Sequence, residues 1–123
     1  MEYITVDLEN RYGSVFPISK VKETIIDAGK NGFLFKGFVP QFIAKNGRIA
    51  TIDLVFDVMT EKVDYEIVTK YNTSKLTKEI YFDNMPQLID RYEDDGMSYC
   101  GFVPTVIDKN GAIVEMDLVF TRK

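Results

Sequence analysis

Residues 37–56 read GFVPQFIAKNGRIATIDLVF, and residues 101–120 read GFVPTVIDKNGAIVEMDLVF. At an offset of 64 the two stretches are identical at 13 of 20 positions without a gap, so the chain carries an internal duplication. A repeat constrains a fold more than any local motif does, because what one copy forms the other forms as well. With 123 residues in all, each copy has only about 60 in which to bury an apolar face. Two copies sharing one core are therefore expected: a single domain over residues 1–123, made of repeats 1–61 and 62–123.

Each copy reads as strand, helix, strand, strand. Residues 2–8 alternate, with Ile4, Val6 and Leu8 on one side and Tyr3, Thr5 and Asp7 on the other, which predicts a half-buried strand. Asn10, Gly13, Ser14 and Pro17 mark a loop. Ser19 is a candidate N-cap for a helix whose apolar stripe is Val21, Ile25 and Ala28, and Asn31-Gly32 ends it. Asn46-Gly47 then sits between two strand-like runs, as a type I′ hairpin requires. A two-residue turn would place Gly37 opposite Phe56, Val39 opposite Leu54 and Ile43 opposite Ala50. Phe35, Val39, Ile43, Ile52, Leu54, Phe56 and Val58 then form the core face. Phe38, Pro40, Phe42, Thr51 and Asp53 fall on the other. The second copy repeats the order. A strand covers 63–71, a connection 72–82, and a helix starts near Asp83 or Asn84 with Pro86 in its first turn and Met85, Leu88, Ile89 and Tyr92 as its stripe. Asp95-Gly96 stops it. A hairpin around Asn110-Gly111 comes next, with Tyr99, Val103, Ile107, Val114, Met116, Leu118 and Phe120 facing the core.

The expected fold class is α+β: tandem β-α-β-β units in the order βαβββαββ, related by a pseudo-two-fold axis, with an antiparallel-rich sheet and both helices on one face. Gly32-Phe33 with Asp53-Leu54-Val55-Phe56, and Gly96-Met97 with Asp117 through Arg122, resemble a short bacterial strand–helix–strand–strand family of unknown function. That family has Gly-Trp after the helix, and neither copy has the Trp. The resemblance implies fold and carries no functional residue across.

Composition narrows the chemistry. There is no His, which removes Ser-His-Asp and Cys-His catalysis and imidazole zinc sites. No phosphate-binding glycine loop occurs among the eight glycines. A net charge of −4 speaks against nucleic acid as partner. The single cysteine, Cys100, points to a reducing compartment, and no apolar run is long enough to span a membrane. A cytoplasmic protein is expected, with no catalytic residues, no metal and no cofactor.

Three features remain after the hairpin residues are assigned. Asp53 and Asp117 occupy equivalent mid-strand positions, where they could line a cleft between the repeats or remain solvated. Pro40 and Pro104 interrupt pairing at the same place in both copies, beside Phe38 and Phe102, which predicts an edge or a bulge. Asp90, Glu93, Asp94 and Asp95 form an acidic run where the first copy has Ile26, Gly29, Lys30 and Asn31. With the aromatic residues Phe38, Phe42 and Phe102, these suggest a non-enzymatic binding protein that docks on another protein, as inhibitors, immunity proteins and phage accessory proteins do. The alternative is a small-ligand or nucleotide module with its site in the groove between the repeats. Open sheet edges would also admit a homodimer.

Overall fold

A computed structural model of the protein describes residues 1–8, 19–43, 45, 47, 49–71, 84–107 and 111–122. The elements are β1 (Glu2–Asp7), α1 (Ser19–Lys30), β2 (Phe33–Ile43), β3 (Ile49–Val58), β4 (Tyr65–Tyr71), α2 (Met85–Asp94), β5 (Met97–Ile107) and β6 (Ile113–Arg122). The architecture is α+β, with two similar halves in the expected βαβββαββ order. The antiparallel strands are divided between two three-stranded sheets, β1-β3-β2 and β4-β6-β5, so the duplicated unit is a small sheet with its own helix.

Local chemistry explains the elements. Ile4 and Val6 of β1 lie opposite Leu54 and Ile52, and the Leu8 amide donates to the Ala50 carbonyl at 2.7 Å. Val21, Ile25 and Ala28 of α1 are buried. The helix stops at Gly32, whose φ of +77° places it in the left-handed region that glycine adopts without penalty. Gly96 (φ +91°) ends α2 in the same way. Pro86 lies in the first turn of α2, and Asn84 precedes it at φ 59° without a side-chain cap. Asn46 and Asn110, the loop 9–18 and the connection 72–83 lie outside the described residues. Gly47 and Gly111 have φ of +85° and +89°, the left-handed region that glycine adopts without penalty, but Ile43 pairs with Ile49 and Ile107 with Ile113, so the strands close one residue away from the expected pairing of Ile43 with Ala50.

The hairpins depart from the simple two-residue register. Each contains three irregularities at equivalent places, between Phe35 and Gly37, Pro40 and Phe42, and Phe42 and Ile43 in the first copy, and 64 residues later in the second. A bulge inserts an extra residue into one strand and swaps the faces of the residues beyond it. Val39 therefore pairs with Asp53, and Phe38 takes its expected place opposite Leu54. Val39 and Ile43, expected in the core, are exposed for this reason, and Val58 is exposed at the strand end. Phe38, expected on the other face, packs against the core. Both prolines stand at a bulge on an edge strand, where a missing N–H removes nothing from the ladder.

Each sheet has one face under its own helix and one face bearing its aspartate. The helix-side face of the first sheet, with Phe35, Ile52, Leu54 and Phe56, is buried in one cluster with Val21, Ile25 and Ala28 of α1. Leu118 and Phe120 are the counterparts of Leu54 and Phe56, and Tyr92 of α2 stacks on Phe120 at 4.8 Å. No residue of α2 is fully buried. The Asp face of the second sheet turns inward: Ile67, Val103, Ile107 and Val119 join the cluster of the first repeat. Phe35 lies against the backbone of Gly101, and Phe38 meets Phe102 edge to face at 5.5 Å. The Tyr65 hydroxyl donates to the Phe33 carbonyl at 2.5 Å and accepts from the Phe35 amide at 2.7 Å, joining β4 to the edge strand β2. The copies thus share one core but contribute different faces to it, and among the described residues no element covers the Asp face of the first sheet.

Candidate functional site

The two Asp faces begin from the same chemistry. Thr5 Oγ1 donates to Asp53 Oδ1 at 2.7 Å, and Thr69 Oγ1 donates to Asp117 Oδ1 at 2.7 Å. The neighbouring positions then differ. In the first copy Gln41 Nε2 donates to Asp53 Oδ2 at 3.3 Å. In the second copy the equivalent residue is Thr105, which donates to Glu115 Oε2 at 2.9 Å, and Glu115 replaces Thr51. Asp117 is 0% and Glu115 1% exposed. Asp117 Oδ2 and Glu115 Oε1 have no hydrogen-bond partner among the described residues.

Burial pushes the Asp117 carboxyl up to about 6, and the Glu115 charge adds to the effect. The Thr69 hydrogen bond and the Lys22 ammonium on α1 oppose it. This is a sealed acid between the repeats. Its raised pKa suits it to hold a proton. The structure does not bring Asp53 and Asp117 into one cleft: they sit at equivalent places on two faces, one open and one covered.

The open face carries the exposed apolar residues of the first repeat. Tyr3 on β1 and Val39, Phe42 and Ile43 on β2 are each more than half exposed. They pair with Val55, Asp53, Thr51 and Ile49, all on the outward-alternating positions of β3. Thr5, Gln41 and Asp53 lie among them as a hydrogen-bonded polar group. Of the other aromatic candidates, Phe38 and Phe102 meet at the crossing of β2 and β5, away from Phe42.

Asp90, Glu93, Asp94 and Asp95 are all exposed. Glu93 stands where α1 has Gly29, and a Cβ on Gly29 would overlap the Val63 carbonyl oxygen and the Tyr65 ring. The first helix needs glycine there because β4 packs on it. Among the described residues nothing packs on the second helix at this position, and Glu93 is exposed. Cys100 is a bulge residue whose thiol is pushed up by burial, with Thr121 and Lys36 opposing, so it is a poor nucleophile. A shallow hollow of about 290 Å³ lies at the repeat junction between Leu34, Met59, Val63 and Thr121, and neither Asp53 nor Asp117 lines it. Among the described residues no group of three or more His, Cys, Asp or Glu could hold a metal ion, and no helix is long and apolar enough to cross a membrane.

Glu115 and the exposed set Tyr3, Val39 and Ile43 were not singled out from the sequence as site residues. Glu115 had a signal in the comparison of copies: Thr51 becomes Glu115 on the face of Asp117 just as Gln41 becomes Thr105. No protein-family model, curated protein or solved structure matches the chain.

Proposed function

We propose that the protein is a non-enzymatic binding protein that docks on another protein through the Asp face of its first sheet. The observation that carries this reading is the cluster of Tyr3, Val39, Phe42 and Ile43 on one exposed sheet face, the face whose counterpart in the second copy is buried. Exposed apolar surface is unfavourable by about 25 cal/mol per Å², and docking recovers it. Apolar residues gathered on one exposed sheet face mark an interaction surface more often than singly scattered ones do. Aromatic anchors with polar groups beside them are what protein interfaces are built from. Inhibitor, immunity and accessory proteins work in this way, without chemistry of their own.

The test is a photoreactive residue at Val39, with the same residue at the exposed Glu61 as control, in the cells that make the protein. One discrete adduct from position 39 and none from position 61 is expected. No adduct, or the same adducts from both positions, would overturn the reading.

A further inference from the structure

We infer that the occupant of the open face is an amphipathic helix of a partner protein, with a lysine or arginine beside its apolar stripe. This rests on the docking reading above and specifies its ligand. The chain itself contains the precedent. Val39, Ile43, Asp53 and Val55 are identical in type to Val103, Ile107, Asp117 and Val119, and the threonine bond to the aspartate is the same length in both copies. In the second copy this set is covered from the first repeat by α1 together with β2: Val21, Ile25 and Ala28 of α1 and Phe35 of β2 belong to the same buried cluster, and the Lys22 charge acts on Asp117. A surface that takes a basic amphipathic helix once has the groups to take one again, by the helix-on-apolar-surface mode of recognition.

The differences between the faces favour a partner from outside the chain. Tyr3 and Phe42 stand where the second copy has Ile67 and Val106, so the open face has aromatic residues where the internal one has aliphatic ones. A second copy of the chain fits poorly. The α1 stripe is already buried, and α2 offers Asp90, Glu93 and Asp94 against Arg91. Two open faces packed on each other would set Asp53 against Asp53. Like charges brought together at an interface are strongly unfavourable.

The probe is a stapled helical peptide of residues 19–30 of this chain, titrated into the intact isotope-labelled protein and followed by NMR. Saturable micromolar binding is expected, with shifts around Thr5, Val39, Ile43 and Asp53. Lys22→Glu in the peptide should weaken it by roughly tenfold or more. Absent binding, equal affinity of the Lys22→Glu peptide, or shifts at Val103 and Val119 instead would overturn the inference. Self-association of the chain that Val39→Lys abolishes would also overturn it, in favour of a second copy. If the peptide fails while Val39 still yields its discrete photo-adduct, docking stands and the helix does not.

Discussion

Asp53 and Asp117 accept the same threonine bond at 2.7 Å, yet only Asp117 is cut off from water. Its carboxyl is raised from 3.8 to about 6 in the folded chain, so between these values the native state binds more protons than the unfolded state. Stability from this group is therefore complete below pH about 4, falls as pH rises toward 6, and is lost above that. The difference between the ends is about 3 kcal/mol. Asp117→Asn keeps the acceptor for Thr69 and removes the ionisation. Its melting temperature at pH 7 should exceed that of the parent, and the gap should close by pH 4, as thermal scans across that range would register. A gap independent of pH would refute the assignment. The sequence marks Asp117 by its repeat position, but its burial depends on which sheet face turns inward. That is decided by residues far along the chain, so a local pattern does not carry it.

At the scale of elements, the bulged hairpin determines what each face presents. Strand existence, helix limits, the two glycine stops and the prolines at bulges are all legible from spacing and residue type. The faces of β2 are not, because an extra residue at Lys36 and another at Gln41 reverse the alternation, and only Gly37 (φ +140°) and Pro40 hint at them. The link between the two sheets is Tyr65, whose hydroxyl satisfies two backbone groups of the edge strand β2. Burial and the Phe35 amide act on that hydroxyl in opposite directions, and burial prevails, raising it to about 12, so it remains a donor at any ordinary pH. Tyr65→Phe leaves the Phe33 carbonyl and Phe35 amide without this partner. A loss of about 1–3 kcal/mol is expected. Denaturant titration should show a lower midpoint at unchanged slope.

Across the whole molecule the two copies stack in sequence, helix side of the first sheet against Asp face of the second. Among the described residues the stack has two outer faces, and an outer face of stacked repeats is stable in water when it is polar. At one end α2 meets that condition with Asp90, Glu93, Asp94 and Asp95, exposed on a helix without a fully buried residue. At the other end the first sheet does not: Tyr3, Val39, Phe42 and Ile43 stay exposed. One outer face is a helix with exposed charges, and the other is a sheet with exposed apolar residues. The duplication was legible in the sequence, whereas this asymmetry was not, because equivalent residues such as Val39 and Val103 are identical in type and differ only in what lies over them. The most direct test places the same change at both. Val103→Lys puts an unpaired charge into the shared core and should remove at least about 3 kcal/mol of unfolding free energy. Val39→Lys should change it by no more than about 0.5 kcal/mol while abolishing binding of the helical peptide. Equal losses of stability at the two positions would contradict the account.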